Sequence, residues 1–164
     1  MPKSLYNIPV MARMYYQNGE LLKNKEQEIV SWGKKFRTGI KFIDEQHREL
    51  VTLTNNLYRA CLAGDGRLDL VFKECMSAMV DYVGYHFNAE SEFLEKINYP
   101  EHKEHKSQHD TLIKEILTAV SEYNSGKKYT PNVFVRTLRD WVFSHIAYQD
   151  KAFALYAAEK GIKE

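Results

Sequence analysis

The chain has 164 residues, enough for one domain with a real buried core and too few to require a second. Lys and Arg number 23 against 22 Asp and Glu, a net charge of +1, so no broad field recruits nucleic acid or an anionic membrane. No apolar run has the length of a membrane span or signal peptide, and Cys61 and Cys75 lack C-x-x-C spacing, so the chain reads as cytoplasmic, with reduced structural thiols.

Residues 1–30 form an N-terminal extension in which QNGE suits a tight turn and ELLKNKEQEIV a short helix. The extension either packs on the domain or docks a protein partner. From Gly39 onward, GDGR, INYP and YNSGKKYTP divide the chain into four helix-length segments. The first, Phe42 to Ala63, repeats Ile43, Leu50, Thr54, Leu57 and Cys61 at steps of four and three, with His47 on the same seam. The second, Asp69 to Ile97, carries Phe72, Met76, Met79, Val83, Phe93 and Ile97 on one stripe, interrupted by His86 and Glu90. A third runs from Pro100 to about Tyr123 with Leu112, Ile116 and Ala119 inward, and His105 and His109 extend that face. The last opens with Thr130 as N-cap and Pro131 at the first helical position and stops near Gly161. Phe134, Leu138, Trp141, Val142, His145 and Phe153 share its inner face. Short connections and one apolar stripe per helix predict an all-α domain over 31–164, an antiparallel up-down-up-down four-helix bundle.

A single histidine on an apolar face is usually a hydrogen-bonded core residue. Five imidazoles on four inner stripes would leave several buried nitrogens unpaired, and a metal pairs them all. His105 and His109 are four apart and stack on successive turns; His86 and Glu90 repeat that spacing. His145 and Asp150 are five apart, about 140 degrees on a regular helix, which counts against one face unless the helix widens locally. His102 sits in a charged first turn and reads as surface. Five imidazoles and two carboxylates exceed the needs of a structural zinc and suit two iron ions with a position left open for a small molecule. The sequence holds no E-x-x-H or H-E-x-x-H motif, phosphate loop or nucleophile elbow.

GIKFIDEQHREL, HFNAESEFL, YPEHKEHKSQH and WVFSHIAYQD, in that order, resemble the four helix motifs of the hemerythrins, bacterial branch, from about Trp32 to the C-terminus. The resemblance implies reversible O2 binding at a non-heme di-iron centre with a bridging oxo or hydroxo group. It implies that His105, His109 and His145 hold one iron and His47 and His86 the other, with Glu90 and Asp150 bridging and the open position on the two-histidine iron. It also makes the five-residue spacing of His145 and Asp150 the family's own. One departure is Val142, three before His145, where a larger leucine commonly lines the pocket; a roomier pocket with faster autoxidation is the expectation, unless Phe143 or Tyr148 refill the space. Trp141 reads chiefly as packing. Oxygen carriage, storage or delivery, without enzymatic turnover, is the first reading. An O2 or redox sensor acting through the extension is the second, and a di-iron enzyme acting on peroxide or nitric oxide the third.

Overall fold

The computed structural model describes residues 16–17, 20–21, 28–63, 68–126 and 131–162. Two short strands, β1 (Tyr16–Gln17) and β2 (Glu20–Leu21), pair antiparallel with Tyr16 opposite Leu21 and Gln17 opposite Glu20. That register suits the expected turn at QNGE, although Asn18 and Gly19 lie outside the described residues. It corrects the short helix expected over ELLKNKEQEIV at its first two residues, which are strand, and at residues 28–30, which are not helical; residues 22–27 lie outside the description.

The bundle consists of α1 (Lys41–Ala63), α2 (Leu68–Lys96), α3 (His102–Asn124), α4 (Pro131–Ser144) and α5 (Asp150–Glu159). A π-helical turn, His145–Gln149, joins α4 to α5 as one continuous rod, and α1 packs on α2 and α4 while α2 packs on α3. Three boundaries have a clear local cause. The Asp44 carboxylate, in the first turn of α1, accepts the Thr38 N–H at 2.7 Å and the Thr38 hydroxyl at 2.8 Å, while that hydroxyl accepts the Ile40 N–H at 3.1 Å. Asn98 ends α2 at φ 51, with the Tyr99 N–H returning 2.9 Å to the Leu94 carbonyl. Gly161, at φ 71, closes α5 in the same way, the Ile162 N–H reaching the Ala157 carbonyl at 2.9 Å. One detail differs from the sequence reading. Pro100 precedes α3, whose N-cap is Glu101, because Asn98 and Tyr99 still belong to the turn that closes α2. Thr130, expected as an N-cap, lies outside the described residues.

The inward stripes bury two apolar clusters. Leu50, Leu57, Phe72, Met79, Leu112, Ile116, Leu138 and Val142 belong to the larger one, while Ile43, Phe93, Leu94, Ile97 and Phe153 belong to the smaller. Between them on α1, on α2 and on the α4–α5 rod falls a polar interval: His47 lies between Ile43 and Leu50, Glu90 between Phe87 and Phe93, and Asp150 between Ile146 and Phe153, while on α3 His105 and His109 lie before Leu112 and Ile116 of the larger cluster. Residues 28–40 pack on the bundle before α1. Val30 and Phe36 are buried there, and the Asn55 amide takes the N–H groups of Ile29 and Val30 and donates to the Val30 carbonyl at 2.8 Å.

Candidate metal centre

All seven residues singled out by their inward positions occupy that polar interval. His47, His86, Glu90 and Asp150 are fully buried, and His105, His109 and His145 are 4% exposed or less. Their ligand atoms form two groups sharing a member: Glu90, His105, His109, His145 and Asp150 in one, His47, His86 and Glu90 in the other. Glu90 Oε1 lies 3.1 Å from His47 Nε2 and 3.6 Å from His86 Nε2, while its Oε2 lies 3.3 Å from His109 and 3.5 Å from His105. Asp150 spans the same divide, Oδ2 at 3.1 Å from His47 and Oδ1 at 3.2 Å from His145 and 3.4 Å from His105. His102, the sixth histidine, stands outside, half-buried with Nε2 2.8 Å from Ser91 Oγ.

The five-residue spacing of His145 and Asp150 is resolved by the π turn. The Asp150 N–H bonds the His145 carbonyl five residues back, and the widened turn brings both side chains to one face. The obstacle that a regular helix presents is removed by one extra residue in the winding.

Burial would ordinarily neutralise such groups, yet each shift has an identifiable opponent. Burial alone would drive His47 down, but the carboxylates of Asp150 and Glu90 hold it up at about 9. His86 is pushed down to about 4, chiefly by burial. Burial would raise Glu90, and the surrounding histidines, His86 foremost, instead hold it well below the ordinary range. Asp150 is brought to about 2 against burial and the charge of Glu90, by His145 and His47. Burial lowers His109; His105 rises because Glu90 outweighs its burial. Two ionised carboxylates sealed from water therefore demand nearby positive charge.

The donor set fits metal ions better than it fits itself. His86 Nε2 is buried with no hydrogen-bond partner, and the Asp150 oxygens, though within 3.4 Å of His47, His105 and His145, are not aligned for a hydrogen bond with any of them, a costly condition that a cation removes. His109 Nε2 and His145 Nε2 face each other at 2.8 Å, close to the separation of about 3 Å between neighbouring ligands held about 2.1 Å from one metal. Mixed imidazole and carboxylate donors suit iron.

Two neighbours, Gln46 and Phe87, escaped the sequence reading, and a third, Trp141, reads there as packing. Gln46 Oε1 lies 3.0 Å from His86 Nδ1. Phe87 stacks on His109, centroids 3.6 Å apart with planes 2° from parallel, and Trp141 stacks on His145 at 4.3 Å and 14°. Trp141, read as packing, thus forms a wall of the centre. The only sequence signal for these residues is position, one residue or one turn from a candidate ligand.

Comparison with known proteins converges on one group. Residues 38–156 match the family model described as the hemerythrin HHE cation binding domain. The chain is 28% identical over 126 residues to a bacteriohemerythrin of Methylococcus capsulatus, covering 76% of this chain and 94% of that one. It is 29% identical over 126 residues to a bacteriohemerythrin of Stenotrophomonas maltophilia, covering 77% and 80%. A crystal structure of wild-type hemerythrin superimposes with a TM-score of 0.71 at 26% identity, covering 77% of this chain and 95% of that one.

Proposed function

The chain belongs to the hemerythrin family, and from that premise we propose that it binds O2 reversibly, for carriage, storage or delivery, at a di-iron centre held by the seven buried residues. The family binds a di-iron centre, and the buried cluster can hold metal ions. The observation that carries the reading is the shared position of Glu90 and Asp150, each touching histidines of both donor groups. His105, His109 and His145 would hold one iron and His47 and His86 the other, with both carboxylates between them. Iron bound there would supply the redox partner for O2.

The rest is the work of the protein. The walls contributed by Phe87, Trp141, Ile146 and Phe153 exclude water from the cluster. The two carboxylates offset the charge of the metals, so the loaded site can sit between two apolar clusters. The stacked rings over His109 and His145 restrict imidazole rotation.

The test is an optical spectrum of iron-quantified protein, reduced without oxygen, after adding oxygen, and after removing it. Two irons per chain with a visible charge-transfer band that comes and goes with O2 support the reading. A centre that oxidises once and stays oxidised refutes it, and catalytic loss of peroxide or nitric oxide under repeated turnover replaces it with an enzyme.

One observation favours a sensing role for the same centre. The segment before α1 touches the ligand-bearing elements: Phe36 packs on Phe143 at 5.3 Å, Lys151 Nζ donates to the Lys34 carbonyl at 3.4 Å, and Arg48 lies over Trp32 at 5.5 Å. Arg48 and Lys151 are the sequence neighbours of His47 and Asp150. A change at the metals would reach this segment through those neighbours. Proteolysis of residues 1–40 that differs between oxygenated and deoxygenated protein supports a sensor; an identical pattern removes it.

A further inference from the structure

Gln46 stands one residue before His47 on α1, half-buried, and its side chain crosses to α2. The contact is between its amide carbonyl, Oε1, and His86 Nδ1 at 3.0 Å. A carbonyl oxygen can only accept, so this arrangement places a proton on Nδ1 and leaves the Nε2 lone pair bare. That Nε2 is the atom facing Glu90 Oε1 at 3.6 Å, buried and without a hydrogen-bond partner. The opposite amide orientation would present an NH2 to Nδ1, move the ring proton to Nε2, and point a donor into the cluster.

The contact is itself held in place. The Tyr82 hydroxyl donates to the Gln46 main-chain carbonyl at 2.9 Å, and the Tyr82 ring lies 16° from parallel to His86, centroids 6.4 Å apart. Tyr82 thereby ties the backbone of the residue that offers the acceptor to α2 and lies parallel to the ring that uses it. His47, on the same side of the centre, has no such partner, its Nδ1 being buried without a hydrogen bond.

Resting on the di-iron reading above, we propose that Gln46 is a positioning residue: its side-chain carbonyl selects the His86 tautomer and ring direction in which Nε2 can ligate the metal of the His47, His86 and Glu90 group. Gln46 would thus act on the metal of the two-histidine group alone. Ligating histidines commonly depend on such an acceptor for orientation and basicity, and its loss costs about 10- to 100-fold in metal affinity. Replacing the amide by a carboxylate keeps the acceptor and adds charge, so Gln46→Glu makes His86 a stronger donor and stabilises the ferric state.

The experiment compares the full chain with Gln46→Leu and Gln46→Glu. Long-range nitrogen–proton NMR of the metal-free protein reads the His86 tautomer, anaerobic titration with ferrous iron reads the two affinities, and potentiometry reads the midpoint potential. The expected result is an Nδ1 proton on His86 in the parent and in Gln46→Glu. Gln46→Leu binds one iron as the parent does and the second about 10- to 100-fold more weakly. Gln46→Glu binds both and has a lower potential. An Nε2 proton in the parent overturns the proposal, as does a Leu variant that keeps both affinities and the potential. A parent chain that fails to take two irons overturns the function proposed above, while the tautomer of the metal-free protein still decides the role of Gln46.

Discussion

Glu90→Gln tests the shared carboxylate with almost no change of volume. The parent side chain is fully buried and faces four imidazoles at 3.1, 3.3, 3.5 and 3.6 Å. Removing one partner of a buried charge pair costs about 3–5 kcal/mol, or roughly 10²- to 10⁴-fold in an affinity. Because Glu90 belongs to both donor groups, that loss falls on both metals, whereas His86→Ala removes a donor from one group alone. Anaerobic ferrous titration with iron quantification should therefore give two weakened equivalents for Glu90→Gln and one for His86→Ala. The metal-free protein supplies a second readout. Glu90 is held below its ordinary range by its histidine neighbours, so its charge stabilises the fold above the unfolded carboxylate range, and that contribution fades as pH falls through the folded value. Urea unfolding of metal-free Glu90→Gln should show a deficit at neutral pH that shrinks in acid. If Glu90→Gln binds two irons as tightly as the parent, the shared-carboxylate argument is wrong.

Asn55→Ala leaves the Ile29 and Val30 N–H groups and the Val30 carbonyl without their partner; a loss of at least about 1–3 kcal/mol in urea unfolding is expected, with earlier tryptic cutting at Lys34 and Lys35. Unchanged stability and cutting would show that the segment is held elsewhere. Val142→Leu tests pocket size at a fully buried position; of the two residues expected to refill any space, Phe143 packs on Phe36 and Tyr148 is 74% exposed. A stability gain of about 0.8 kcal/mol and slower autoxidation are expected, and an unchanged autoxidation rate sinks the idea; a loss of about 1–3 kcal/mol would mean the site is already full. Burial pushes the Cys75 thiol up to about 12 and the Cys61 thiol up to about 11, so iodoacetamide at about pH 8 should label Cys75 far more slowly in folded protein than in urea. Equal rates would contradict its burial.

Periodicity made the bundle legible because it reports which side of a helix is buried, and the buried side is the same for a leucine and for a ligand. His47 falls between Ile43 and Leu50 on one stripe, and His105 and His109 continue the stripe of Leu112 and Ile116, so the sequence exposes them as polar residues in apolar company. What periodicity cannot report is which residue of a neighbouring helix stands opposite. Gln46, one position off the stripe, and Phe87, beside His86, gain their roles only once α2 is set against α1 and α3. The spacing of His145 and Asp150 shows the boundary between the two kinds of information. On a regular helix it separates the two side chains, so periodicity alone argues against a shared site. The π turn reverses that conclusion, and its cause lies in the surroundings as much as in HIAYQ itself: Ile146 must stay in the larger apolar cluster and Phe153 in the smaller, while His145 and Asp150 both face the polar interval between them. A regular helix cannot meet all four requirements across this stretch. One extra residue in the turn does, which places the irregularity at the centre rather than elsewhere on the rod.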